Sequence, residues 1–60
     1  MISDKRLGQI LEGLELEASE LEAAAQIAAQ HGMYESGSAL RQKASGIRRT
    51  IETLTVHKAL

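Results

Sequence analysis

The sequence has no cysteine and no proline, and Tyr34 is its single aromatic residue. Without cysteine the chain can form neither a disulfide nor a thiolate zinc site, and nothing in it points to an oxidising compartment. Without proline, no helix is forced to break internally. Alanine supplies much of the 43% of residues that are hydrophobic, so any core must be aliphatic and thin.

A long apolar stretch is also missing near the start of the chain, where Asp4, Lys5 and Arg6 interrupt the hydrophobic residues. This segment predicts neither the core of a signal peptide nor a membrane span, and we expect a cytoplasmic protein without membrane contact. The net charge of −1 argues against non-specific binding to a polyanion. The charge is nevertheless segregated, because residues 1–32 carry six acidic and two basic side chains, whereas residues 33–60 carry two acidic and five basic ones.

The length predicts one small domain over residues 1–60. A chain of this size buries only about 60% of the surface that its unfolded form exposes. Small scaffolds therefore need disulfides, structural metals or association to be stable. Because the sequence lacks cysteine, we expect the chain to associate with itself.

The first predicted helix spans residues ~4–31. Ser3 is a favourable N-cap residue, and Asp4 places a negative charge in the first turn. Apolar residues then recur in steps of four and three, which is typical of a helix in a coiled coil. The seam residues of this helix are Leu7, Leu11, Leu14, Ala18, Leu21, Ala25 and Ala28.

A tight turn is predicted at Gly32, because glycine suits the left-handed conformation that ends many helices. The same apolar periodicity resumes after the turn and predicts a second helix over residues ~34–58. The seam residues of the second helix are Met33, Gly37, Leu40, Ala44, Ile47, Ile51 and Leu54.

The two seams match each other in one antiparallel register, in which the numbers of facing residues sum to 65. Ala28 then faces Gly37, and the small residues near the turn let the helices approach closely. The same register predicts two ion pairs between the helices, Glu15 with Arg48 and Glu22 with Arg41.

The sequence therefore predicts an all-α fold, an antiparallel two-helix hairpin that associates into a four-helix or larger bundle. A second apolar set lies away from the seam, at ~100° of rotation per residue. Apolar residues on both sides of a one-layer hairpin are typical of half of a bundle. The predicted interface residues, for a second copy or a partner, are Leu16, Ala23, Ile27, Val56 and Leu60.

The sequence predicts no catalytic residue, no metal site and no cofactor. The five glutamates within residues 12–22 include no Glu-x-x-His motif, so they lack the pattern of di-metal helical bundles, and a solvated face accounts for them. His31 and His57 are the only imidazoles, and they lie nearly the length of a helix apart in one hairpin. No nucleophile has both a base and an orienting acid beside it. We therefore do not expect an enzyme.

A polar cluster occurs where the second helix begins. Free N–H groups at a helix N-terminus, together with hydroxyls, a guanidinium and a stacking ring, could hold a phosphate or a nucleotide. The alternative is that the tyrosine packs over the turn and the serines cap the helix. This candidate site comprises Tyr34, Ser36, Ser38 and Arg41.

A basic face of the second helix is a candidate surface for nucleic acid. Arg48 is expected to pair with a glutamate, and Lys43 and Arg49 face different sides of the helix. A symmetric dimer would be needed to bring the basic helices together into one positive face. The candidate residues are Lys43, Arg48 and Arg49.

From these patterns we expect a small non-enzymatic, homo-oligomeric helical protein that binds another protein as an adaptor, regulator or inhibitor. The alternative is a protein that binds or sequesters nucleic acid, a nucleotide or a phosphate ligand, through the basic face of the second helix or the turn.

Overall fold

The computed structural model describes residues 2–59, with side chains described through residue 57. Two helices, α1 (Asp4–Gln30) and α2 (Tyr34–Ala59), pack against each other as an antiparallel hairpin. The predicted all-helical hairpin is confirmed, and the observed helix ends lie within one residue of the predicted ones. The molecule is a rod of 44 × 15 × 13 Å. Neither helix, over the part of the chain described, carries an apolar stretch long enough to cross a membrane.

The start of α1 is fixed by Ser3, whose side-chain hydroxyl accepts a hydrogen bond of 3.2 Å from the backbone N–H of Arg6. Ser3 itself is extended, with φ −69° and ψ 156°, as an N-cap residue should be. Asp4 adds a negative charge to the first turn, where the unpaired N–H groups of the helix favour it. The N-cap predicted from the sequence is confirmed.

The turn between the helices is a Schellman motif at Gly32, whose φ is +74°. The N–H of Met33 donates to the Ala28 carbonyl at 2.8 Å, and the N–H of Gly32 donates to the Ala29 carbonyl at 3.1 Å. Because α2 begins at the very next residue, Tyr34, the chain reverses direction within three residues.

The first turn of α2 differs from the prediction that serines cap it. The residue before the helix is Met33, and its backbone carbonyl accepts a hydrogen bond of 3.0 Å from the N–H of Gly37. Ser36 and Ser38 lie inside the helix, and their side chains make no hydrogen bond with any described residue. The expected packing of Tyr34 over the turn is also wrong, since this residue is 72% exposed. Because α2 begins at Tyr34, the capping position is occupied by Met33, and both serines lie beyond it.

The contact between the helices is made mainly by small residues. A β-carbon built on Gly37 would lie 3.7 Å from the Ala28 β-carbon and only 3.2 Å from the Ala25 carbonyl oxygen, which confirms the predicted pairing near the turn. The seam positions are buried or half-buried, with the exception of Met33, which lies in the turn and is 55% exposed. The buried hydrophobic residues are Leu7, Ala18, Ala25, Ala28 and Ala44.

One arginine links the two helices. Arg48 pairs with Glu15, Nη1 to Oε1 at 3.0 Å, as the sequence predicts. The predicted pair of Glu22 with Arg41 is wrong, because Glu22 binds Arg48 instead, Nη2 to Oε1 at 2.7 Å. Arg48 follows Ile47, which faces the midpoint between the two glutamates, so its long side chain reaches both.

Candidate protein-interaction surface

The rotation of side chains around each helix divides the hairpin into two long edges, one on either side of the seam. At ~100° per residue, Ile10 and Leu21 lie ~60–80° from Ala18 in one direction, whereas Glu15 and Glu22 lie ~40–60° away in the other. In an antiparallel pair, the same direction of rotation on both helices leads to the same edge. One edge is therefore mainly polar along both helices and the other mainly aliphatic.

The polar edge is defined by Glu15, Glu22 and Arg48. The guanidinium binds Glu22 through two bonds of 2.7 Å, from Nε to Oε2 and from Nη2 to Oε1. The third bond, from Nη1 to Glu15, completes a fork that joins two turns of α1 to the middle of α2. This edge is held together by charged hydrogen bonds.

These bonds change the electrostatics of the polar edge. The hydrogen bond from Arg48, with a smaller contribution from its charge, holds the pKa of Glu22 below its ordinary value, although partial desolvation acts in the opposite direction. The hydrogen bonds with Glu22 and Glu15 raise the pKa of Arg48 above its already high ordinary value. Both groups are therefore charged near neutral pH.

The opposite edge, the apolar edge, is lined mainly by large aliphatic side chains. On α2 they recur every seven residues, from Leu40 to Leu54. On α1 they run from Ile10 to Ala24 at intervals of four, seven and three residues, so that each set follows one side of its helix. All are only half-buried, because the facing helix covers each side chain from one side. The apolar edge consists of Ile10, Leu14, Leu21, Ala24, Leu40, Ile47 and Leu54.

Sequence reasoning identified most of these residues as seam residues and missed their second role as a surface. Ile10 and Ala24 were not predicted to take part in any contact, yet both are half-buried beside the seam. The signal that could have found them is their position, since both lie ~80–120° from Ala18 on the side away from Glu15. A residue beside the seam belongs to an edge rather than to the outer surface.

The predicted interface residues lie on the outside of the hairpin. Leu16 is 62% exposed, Ile27 is 56% exposed, and with the exposed Ala23 they form a row on the outer face of α1. Val56, 59% exposed, is on α2, on the side of the polar edge, and does not continue this row. Leu60 lies outside the described residues. The structure thus brings three of the five together.

The predicted anion site is only partly assembled at the turn. Tyr34, Ser38 and Arg41 lie along one side of α2, whereas Ser36 lies ~160° around the helix from both Tyr34 and Ser38. A shallow depression of about 420 Å³ at the turn is lined by Gly32, Met33, Tyr34, Glu35 and Ser36. It includes an acidic residue and excludes the arginine, so the geometry adds no support to an anion site there.

The predicted basic face is divided in the same way. Arg48 is half-buried and bound to two carboxylates, whereas Lys43 and Arg49 are exposed and lie ~120° apart around α2. Within one hairpin these three residues do not form a continuous positive surface.

The apolar edge is therefore an aliphatic surface to which both helices contribute. Across residues 2–59 no group of three or more histidine, aspartate or glutamate side chains is arranged to hold a metal ion.

No protein-family model, curated protein or solved structure matches this chain.

Proposed function

We propose that this chain is a small non-enzymatic protein whose function is association with other helices, first with copies of itself in a helical bundle, and through its outer surface with another protein. The observation that carries the proposal is the apolar edge. Six of its seven residues are leucine or isoleucine, and all seven are half-buried in the hairpin alone. Large aliphatic side chains that recur along both helices are stabilised when a second layer of helices covers them.

The exposed area of the chain supports this proposal. The chain exposes 4706 Å². A compact folded monomer of the same 6.5 kDa mass would expose about 3,800 Å², from the usual relation between area and mass. The excess of about 900 Å² is close to the roughly 800 Å² that each partner buries in a protein interface of standard size. One further hairpin placed on the apolar edge would account for the excess.

The radius of gyration leads to the same conclusion. Its value is 13.9 Å, whereas a compact 60-residue domain would have about 10 Å. A layer of two helices is long and thin, and no described side chain larger than alanine is fully buried within it. Two such layers stacked on the apolar edge form a bundle with an enclosed interior.

Sedimentation equilibrium over a hundredfold range of concentration tests self-association. We expect a mass of at least two chains for the unmodified protein. Ile47→Glu, which places a charge in the middle of the apolar edge, is expected to reduce the mass to that of one chain or to unfold it. Ile27→Glu is the matched control on the outer face of α1 and is expected to keep the mass unchanged. A single-chain mass for the folded, unmodified protein would contradict the proposal.

The outer row of α1 supports binding of a second protein as an adaptor, regulator or inhibitor. Leu16, Ala23 and Ile27 stay exposed when the apolar edge is covered, because they lie on the opposite side of α1 from the seam. A photo-reactive side chain at position 27, introduced in the cells that make this protein, tests the role of the row. We expect an adduct with a different protein that is lost in Leu16→Glu. Adducts containing only copies of this chain would contradict that role.

A further inference from the structure

We infer that the apolar edge is covered by a second copy of this chain, and that the two-fold axis of the dimer runs parallel to the helices, so that α1 of each copy packs on α2 of the other. This inference rests on the proposed function and specifies its first partner. The size of the excess area, close to one standard interface, points to one added hairpin. The distribution of charge between the helices then decides its orientation.

Two symmetric arrangements can stack one apolar edge on another. In the first, the two-fold axis is parallel to the helices, and each α1 lies beside an α2 of the partner. In the second, the axis is perpendicular to the helices, and α1 lies beside the partner's α1 while α2 lies beside the partner's α2. All neighbouring helices are antiparallel in both arrangements, so helix direction alone does not distinguish them.

Packing of the apolar side chains is compatible with the first arrangement. Without translation along the axis, each residue of α1 is level with the partner residue that completes a sum of 65, as it is within one hairpin. Leu14 then falls between the levels of the partner's Ile47 and the partner's Leu54, and Leu21 falls between those of the partner's Leu40 and the partner's Ile47. The leucines of α1 interdigitate with the row on α2, as in knobs-into-holes packing.

The charges favour the first arrangement over the second. Residues 1–32 carry a net negative charge and residues 33–60 a net positive one, so α1 against α2 places the acidic helix beside the basic helix of the partner. In the second arrangement α1 lies antiparallel to the partner's α1, and when the two helices overlap along their full length the axis is level with their middle residue. That residue is Glu17, which is exposed beside the apolar edge and would face the partner's Glu17. Like charges directly opposite each other in an interface are unfavourable.

A single photo-reactive residue at Thr50 distinguishes the two arrangements without removing any charge. Thr50 is exposed beside the apolar edge on α2, on the same side as Ile47. In the first arrangement it is level with the partner's Glu15, and in the second, with the axis at the level of Glu17, it is near the level of the partner's Gly46. A benzophenone amino acid is placed at this position, and the chain is mixed with an equal amount of isotope-labelled chain so that cross-links between copies are recognised by mass.

We expect the cross-links between copies to fall within residues 13–20 of α1. The same probe at Thr53, on the outer face of α2, is the control and should give at least tenfold fewer adducts between copies. Adducts within residues 43–49 of α2, or an associated protein without adducts from position 50, would overturn the inference while leaving the proposed association intact. A single-chain mass in sedimentation would instead contradict the proposed function itself.

Discussion

At the scale of the residue, Gly37 and Gly32 are required for different reasons. Gly37 is helical and permits a close approach, because its missing side chain lets α2 approach within contact of the Ala25 carbonyl. Gly32 lies in open space and is required for its backbone, whose φ of +74° is strained for a residue with a β-carbon. The remaining glycines within the helices, Gly8, Gly13 and Gly46, have no neighbouring atom within 4 Å of a built β-carbon.

Replacing Gly32 by alanine should destabilise the hairpin through its backbone alone. The left-handed conformation costs an alanine roughly 1–2 kcal/mol, and no new contact compensates because the site is open. We expect the free energy of unfolding, measured by denaturant titration at fixed protein concentration, to fall by about that amount. Gly32→Asn should lose less, since asparagine tolerates this conformation better. An unchanged stability in Gly32→Ala would contradict the positive φ.

The close approach of the helices at Gly37 should be visible when the stability of Gly37→Ala is compared with that of Gly13→Ala. Alanine at an open helical position such as Gly13 is expected to raise the free energy of unfolding by about 1 kcal/mol. At Gly37 the added β-carbon would be 3.2 Å from a backbone oxygen, so the helices must separate and the gain should be lost or reversed. Equal stabilisation by both substitutions, measured by thermal unfolding, would show that the helices are farther apart at Gly37 than the distance of 3.2 Å to the Ala25 carbonyl oxygen implies.

At the scale of the element, the two helices are joined differently along their two edges. The polar edge is fastened by Arg48, whereas the apolar edge has side chains covered from one side only. The polar edge is exposed, and exposed ion pairs contribute little each, so its main effect is to fix the register and leave the opposite edge free for association.

Stability should depend on pH through Glu22. Its pKa is lowered in the folded state, so the stabilisation is fully present above its ordinary value of 4.5 and is lost as the pH falls through the lowered value. Glu22→Gln should lower the melting temperature at pH 7, and the difference from the unmodified chain should shrink below pH 4.5. Glu12→Gln, which removes an exposed carboxylate without an ion pair among the described residues, is the control. A difference that stays constant from pH 7 to pH 3 would contradict the role of the pair.

The helices and the register could be predicted from the sequence because local rules and periodicity specify them. Ser3 and Gly32 mark helix ends through backbone chemistry, and the steps of three and four place the seam residues without knowledge of the partner helix. The choice of Arg48 over Arg41 by Glu22 could not be predicted, because it depends on the reach of one flexible side chain. The apolar edge could not be predicted from the seam periodicity alone, because side chains beside the seam are covered from one side only, which depends on how closely the helices approach.

At the scale of the whole molecule, the hairpin exposes more area than a folded monomer of its mass, and this predicts stability that depends on concentration. For a dimer that unfolds to separate chains, each tenfold dilution lowers the stability by about 1.4 kcal/mol. This corresponds to roughly 5 °C in melting temperature for a dimer of this size. Thermal unfolding followed by circular dichroism over a hundredfold dilution measures the shift. A melting temperature that does not change would be evidence for a stable single hairpin.

The inequality of the two edges also limits how far assembly can proceed. A hairpin with two apolar edges could bind a further hairpin on each of them, and the assembly would then extend into an open filament. Here the guanidinium of Arg48 and its two carboxylates present ionised groups on one flank, which would have to be stripped of water before any layer could settle on them. Assembly through the edges is therefore expected to stop when the apolar edges of two hairpins cover each other. The hydrated ion pairs of Arg48 on the outward-facing polar edges then limit the assembly to two layers.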